Sequence, residues 1–431
     1  MNIWVFQTGE PLPLDPGHQR PMRAINLCNK LIQAGHRVTL WSADFDHQQK
    51  QFRGKAGAQI QYVDNLDIIL LPSPGYRKNI GLARLFDHAQ LALNLRRRLA
   101  QLDDVPDVAF IGYPPIETAY VFGKWLNTRG VPFLLDIKDQ WPTIFIQSLP
   151  RIVQPLGSLV FWPYHYLARS TMRRATGISA MADGFLDWAL TFCGKTRSEN
   201  DAMIPLTTPS GEIEQIEVMA ARQWWDHFGV AEGVGCRFSF VGSFSSAFDF
   251  LPVRLAAETA LQQGDEIQFV LCGEGGDVGE VRAMMHGLPN VLFPGWIDRP
   301  KIEALAERCV ASIAPYRNTP DFMLSIPNKI IDSLAMGLPV LSSLKGEVAA
   351  MIDNDGIGLK YNDAAGVGDE SLYRTIVILR QDKNLQNTLS SNARELYNAR
   401  FSFERVYGDL VVHLEHLAAS SNRACAKHEI G

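Results

Sequence analysis

The sequence predicts two successive α/β domains, each a doubly wound parallel sheet covered by helices on both faces. Three observations carry this. Short apolar runs alternate with helical patterns from one end of the chain to the other. The runs are near-continuous in apolar residues, as strands buried on both faces are. The chain has 431 residues, too many for one ordinary core, so two domains of roughly 200 residues each are expected.

The elements follow in order. "IWVF", "RVTLWSA", "DIILLPS", "DVAFIGYPP", "PFLLDIKD" and "ATGISAM" read as strands of the first domain. Between them, "MRAINLCNKLIQAGH", "LARLFDHAQLALNLRRRLAQL" and "IETAYVFGKWLNTRG" carry apolar residues at helical spacing, with glycine stops. The polar stretch "LTTPSGEIEQIE" at 206–217 marks the crossing. "RFSFVGSF", "IQFVLCGEGG", "NVLFPGWI", "VASIAPYR" and "PVLSSL" are the strands of the second domain, and "SFERVYGDLVVHLEHLAA" is a closing helix before a frayed polar tail. The expected division is 1–205, 206–402, and a C-terminal helix and tail 403–431 that could pack back on the first domain.

Bulk composition excludes several function classes. Hydrophobic residues make up 46% and charged residues 20%, with a net charge of -5, so nothing suggests a nucleic-acid binder. The six cysteines lie far apart without a Cys-x-x-Cys pair, which points to reduced thiols rather than a disulfide framework or zinc site. The start "MNIWVFQTGE" reads as a first strand, not a signal peptide. No window reaches the roughly 18 apolar residues a bilayer span needs. A cytosolic protein is expected.

In doubly wound sheets ligands bind outside the carboxyl ends of the strands, and four post-strand loops stand out. The first, "QTGEPLPLDPGHQRPMR" (7–23), holds Gly9, Gly17, His18 and Arg20 ahead of a helix. Its glycines allow a close approach to an anion, with the helix N-terminus adding its dipole, though a proline-rich turn is the plainer reading. The second, "DIKDQWP" (136–142), sets Asp139 just past an apolar strand, where it could accept a proton or hold a sugar hydroxyl. Alternatively Asp136 or Asp139 caps the next helix or pairs with Lys138. The third pairs "LCGEGGD", with Gly273 and Glu274, and "FPGWID", with Trp296 and Ile297. Its glycines leave room for a flat or charged ligand, and Trp296 could stack on it.

The fourth loop, "VASIAPYRNTPDFMLSIPNKIID", leads into "SLAMGLPV". Ser325 is the expected N-cap of a helix that Gly337 and Pro339 stop. Lys329 in the first turn opposes the helix dipole, which makes sense if an anion occupies that helix end together with Arg317. A local Lys329–Asp332 pair, worth about 0.2–0.5 kcal/mol, would explain the lysine alone.

Taken together, the four loops resemble those of the GT-B glycosyltransferases, family 4, in the subgroup that builds bacterial surface polysaccharides. "PDVAFIGYPPIETAYVFGKWLNTRGVPFLLDIKDQWP", "FVGSFSSAFDF", "FVLCGEGG", "NVLFPGWID" and "PNKIIDSLAMGLPV" follow in that family's order. The resemblance implies two Rossmann-like domains facing an interdomain cleft, the first for acceptor, the second for a nucleotide sugar. It implies Asp332 on the donor ribose, Lys329 on the diphosphate, the backbone at Ser325 and Ile326 beside diphosphate and sugar, and Gly273, Glu274, Trp296 and Ile297 around the nucleobase. Gly17 would approach the phosphates or transferred sugar, Asp139 the reaction centre, and His18 and Arg20 the acceptor. Two departures stand out. Leu324 replaces the first acid of the family's Glu-x7-Glu motif, whose second acid is here Asp332. "GSFSSAF" lacks the family's Arg/Lys clamp, so Lys329 and Arg317 must balance more of the diphosphate charge.

The implied activity is a retaining hexosyltransferase using a nucleoside diphosphate donor, with UDP the expected carrier. The acceptor would be a saccharide or polyprenyl-diphosphate-linked sugar in surface-polysaccharide or lipopolysaccharide synthesis. No cofactor or metal is expected, because "DFD" (44–46) and "DND" (353–355) do not adjoin the donor loops. The run "LVFWPYHYLARSTMRR" (159–174) mixes aromatics with arginines, as a membrane-surface contact does, or as a helix packing its rings into the first domain does. The alternatives are a non-catalytic partner subunit, suggested by the broken motif, and a sugar-nucleotide epimerase.

Overall fold

Apolar residues fill the first sheet because its central strands are covered on both sides: all six residues of Val108–Tyr113 are buried, and six of seven in Arg37–Ala43. The computed structural model describes residues 1–16, 21–78, 81–147, 149–208, 213–233, 235–362 and 370–428. It divides into one unit of 1–205 with 406–431 and a second unit of 206–405. The chain therefore leaves its first unit, builds the second, and returns.

In the first unit the strands are β1 (Asn2–Phe6), β2 (Arg37–Ala43), β3 (Phe45–Asp46), β4 (Gln51–Phe52), β5 (Gln59–Val63), β6 (Leu66–Leu71), β7 (Val108–Tyr113), β8 (Phe133–Ile137), β9 (Gly177–Ala180) and β10 (Ala202–Met203). Strands β3 and β4 form a separate hairpin; the others form one sheet in the order β10-β9-β8-β7-β1-β2-β6-β5. All its pairings are parallel except β5 against β6. β5 escaped the sequence reading because QIQYV is an exposed edge without an apolar run. The helix Phe403–His428 belongs to this unit and runs through most of the expected frayed tail. Val406, Tyr407, Leu410, Leu414 and Leu417 are buried, and Glu415 meets His36 Nε2 at 2.9 Å. The helix starts at Phe403, and the division between the two units falls within its first turn, at Val406.

The second unit holds β11 (Cys236–Val241), β12 (Ile267–Cys272), β13 (Val291–Gly295), β14 (Ala311–Ala314), β15 (Val340–Ser342) and β16 (Gly358–Lys360). They pair in parallel in the order β13-β12-β11-β14-β15-β16. Each sheet reverses direction at its first strand: β1 lies between β7 and β2, and β11 between β12 and β14. At such a switch point the flanking connections diverge to opposite faces and leave a crevice at the strand ends. Among the described residues no helix is long and apolar enough to cross a membrane.

Candidate functional site

The carboxyl ends of β11, β12 and β13 are knitted together by glycines, and the reason is space. The Gly242 N–H donates to the Cys272 carbonyl at 2.9 Å, and the Gly273 N–H to that of Gly295 at 2.7 Å. A Cβ on Gly273 would fall 1.9 Å from the Gly242 oxygen, and one on Gly275 2.2 Å from the Phe244 oxygen. No side chain fits at either position. Across the switch point, Asp249 N–H donates to Pro315 O at 2.7 Å and Arg317 N–H to Ala247 O at 2.9 Å. The loop after β11 is thereby joined to the loop after β14.

Lys329 comes into this assembly from below. Its helix is Asn328–Ala335, with Pro327 as N-cap and no side chain capping the first turn. Ser325 is therefore not the cap: its Oγ donates to the Asp321 carbonyl at 2.9 Å, and the fixed φ of Pro327 starts the helix instead. The stop is as expected, since Gly337 at φ 67° donates to Leu334 O and Leu338 to Ser333 O, a Schellman closure. The half-buried Lys329 ammonium lies 5.1 Å from the ring centres of both Phe240 and Phe248. A Cβ on Gly242 would sit 1.4 Å from Lys329 Nζ. The loop that lacks a basic residue of its own thus makes room for one from the neighbouring helix.

The other sites expected in this unit fall as follows. Asp332 lies close enough to Tyr316 that, after burial, its charge is the next cause raising that phenol. Arg317 is half-exposed, its Nη1 3.6 Å from Asp249 Oδ2, so part of its charge is directed at a carboxylate of the chain itself. Glu274 is exposed, with Oε1 3.4 Å from where a Gly295 Cβ would stand. Trp296 is 72% exposed, whereas the side chains of Ile297 and Ile326 are core residues. Only the backbone of those two can face a ligand.

In the first unit, Gly17, His18 and Arg20 lie outside the described residues. The helix Arg23–Gln33 that follows their loop already has an anion: Glu10 accepts from the Ala24 N–H at 2.9 Å. Glu10 is also the partner of Lys138, which pairs with neither Asp136 nor Asp139. Asp136 caps nothing; fully buried, it grips Arg23 at 2.7 and 2.8 Å and accepts from Ser179 Oγ. Asp139 accepts from the Gln140 N–H at 2.8 Å, and its charge is one of the lesser causes raising the buried Tyr113 phenol. A cavity of about 240 Å³ lies at the ends of β1, β6 and β7, lined by Glu10, His47, Tyr76, Arg84, His88 and Lys138 but not by Asp139. Burial pulls His47 down to about 4 and His88 to about 3. His88 is thus neutral at pH 7, and its 3.8 Å approach to Glu117 is no ion pair there.

The sequence reading missed Gly242 and this cavity. Gly242 could have been found, since a glycine directly after a strand is a signal for close approach. Lys138 lies in a post-strand loop that the sequence marks, but nothing local marks His47 and His88 or shows that the three come together from separate segments. Among the described residues no group of three or more His, Cys, Asp or Glu could hold a metal ion.

Residues 235–373, the stretch of the second unit that contains all six strands of its sheet, match the family model described as glycosyl transferases group 1. Comparison with curated protein sequences gives no match. Among solved structures, sucrose-phosphate synthase from Thermosynechococcus elongatus is similar at TM-score 0.68 and 14% identity, with 97% of this chain and 99% of that one covered. HepE of Anabaena, solved in complex with UDP, is similar at TM-score 0.60 and 13% identity, covering 96% and 99%. WaaG, a glycosyltransferase involved in lipopolysaccharide biosynthesis, gives the same TM-score, identity and coverage. The fold is GT-B.

Proposed function

We propose that this protein, a glycosyltransferase of the GT-B type, transfers a hexosyl group with retention from a UDP-sugar, without a metal, to a saccharide or lipid-linked acceptor of surface-polysaccharide or lipopolysaccharide synthesis. The observation that carries the reading is the Lys329 ammonium against Gly242 at the switch point of a six-stranded parallel sheet. Breaking the anomeric bond leaves charge on the departing diphosphate. A cation and an uncapped helix N-terminus already aimed there stabilise that charge without reorganising. In this reading Lys329 meets the diphosphate, Arg317 adds charge at its rim, and Asp332 takes the ribose hydroxyls. Exposed Trp296 and the backbone at Gly273, Glu274 and Ile297 hold the base. Ser325 and Ile326 contribute backbone groups. The first unit binds the acceptor through His18 and Arg20, with Gly17 approaching the phosphates or the transferred sugar and Asp139 near the reaction centre. The UDP complex of a structural neighbour supports the choice of base.

Lys329→Ala should lower UDP release from UDP-sugar by about 10²–10³-fold, the cost of losing one preorganised charge-stabilising group. The assay is run with acceptor extract and a chelator present, and circular dichroism checks the fold. A normally folded, fully active variant would refute the assignment. Leu324 in place of the first motif acid keeps a second reading open, a nucleotide-binding partner subunit without transfer. That protein would gain thermal stability from UDP yet release none from UDP-sugars. An epimerase would turn over donor with no acceptor.

A further inference from the structure

The helix Gln154–Val160 is built inside out. It buries Gly157 against Leu149, where a Cβ would meet the leucine methyl at 2.5 Å. Its apolar side chains point away: Leu156 is 63% exposed and Leu159 73%, with Ile152 just before them at 93% and Trp162 just after at 63%. Tyr166 continues the face, its ring stacked on Trp162 at 6.0 Å. The aromatic run of 159–174 thus splits into two sets. Phe161 turns toward Phe145 at 5.3 Å, and Tyr164 lies close enough to Glu117 that, after burial, that carboxylate raises its phenol, so these two pack inward. Trp162 and Tyr166 do not.

Exposing this many large apolar groups together costs free energy in water, and single-residue surface exposure does not explain a contiguous set. The charges around it indicate what covers it. From 140 to 182 the sequence contains no aspartate or glutamate, while it contains Arg151, Arg169, Arg173 and Arg174, in a chain of net charge -5. Arg169 and Arg173 donate from Nε to the carbonyls of Phe192 and Cys193 at the end of the helix Asp183–Cys193. Arg151 is exposed beside the apolar face.

An apolar face with a Trp–Tyr pair, in a stretch of chain whose only formal charges are arginines, matches the chemistry of one surface, the headgroup boundary of an anionic bilayer. We propose that residues 152–166 are a peripheral membrane-docking face, which seats Ile152, Leu156, Leu159 and Trp162 at the acyl boundary and Arg151 among lipid phosphates. This inference does not depend on the donor assignment.

The test is flotation of the full-length protein with vesicles. The protein should rise with phosphatidylcholine–phosphatidylglycerol vesicles, far less with pure phosphatidylcholine, and should be released as salt is raised. Arg151→Gln should weaken the partition roughly fivefold, the share of one surface arginine. The double change Leu156→Glu, Leu159→Glu should abolish it while leaving melting temperature and any UDP-induced stabilisation unchanged. Trp162→Ser, at a site exposed in the native state, provides a second loss-of-binding variant. Wild-type protein that stays with the aqueous layer at low salt overturns the inference. So does a double variant that loses self-association in sedimentation while the wild type never bound vesicles, because the face would then seat a second copy. Vesicle binding without a response to UDP leaves this inference standing and sinks the donor reading instead.

Discussion

Two residues concentrate what single side chains do here. Gly242 has no side chain because Lys329 Nζ stands where one would be. Gly242→Ala must therefore displace the ammonium, at a φ of +156° that side-chain-bearing residues rarely adopt. The expected result is a loss of UDP affinity of about 10-fold or more, the worth of one charged hydrogen bond, measured by calorimetric titration. Full affinity in Gly242→Ala would separate the glycine from donor binding. His88 makes a different prediction. Its proton is disfavoured in the native state, so the unfolded chain binds it more readily. Its contribution to stability is complete above the ordinary value of 6.5 and is lost as pH falls toward about 3. Buried Glu117, raised in the native state, has the opposite sign. His88→Phe keeps the packing against Tyr76 and Trp141. The melting-temperature difference between the wild type and this variant should shrink or reverse between pH 6.5 and 4.

Among the elements, β8 shows how a strand end sorts its polar residues. Its side chains alternate, so Asp136 and Ile137 point to opposite sides of the sheet, and Lys138 and Asp139 follow just past its end. Asp136 is spent on Arg23 of the helix Arg23–Gln33, both members being almost wholly buried. Removing one partner strands an uncompensated buried charge. Asp136→Ala should cost about 3–5 kcal/mol by chemical denaturation. A loss below 1 kcal/mol would show that Arg23 finds another partner. The helix Gln154–Val160 shows the converse, an element whose small residue faces in and whose large ones face out.

On the scale of the whole molecule, the chain closes its first unit last. Val406, Tyr407, Leu410, Leu414 and Leu417 pack into that unit after 200 residues of the second have intervened. Truncation after Arg405 exposes the surface they cover, and each fully buried side chain of this kind is worth about 1.5–3 kcal/mol as an upper bound. Calorimetry of the truncated chain should therefore show one unfolding transition lowered by many degrees, and the UDP-stabilised transition nearly unmoved. Equal lowering of both would mean that the two units do not unfold separately.

How much of this was legible beforehand follows from the range of the interactions. Strand and helix identities, the Gly337 stop, the doubly wound class and the oddity of Lys329 are set by neighbours a few residues apart, so periodicity and turn chemistry reveal them. β5 was hidden because an edge strand needs no apolar run. Ser325 was misjudged because Pro327, two residues on, could also start the helix. Ile297 and Ile326 sit within loops that the sequence reading assigned to the donor, yet which of their atoms face outward depends on packing against distant segments. Composition and order alone determined that this chain would build two parallel sheets with glycine loops at their ends, since burial on both faces demands that pattern. Only the tertiary structure decided that Gly242 admits Lys329 and that Glu10 claims both Lys138 and the first helix. Those pairs are 87 and 128 residues apart, and nothing but folding brings such atoms together.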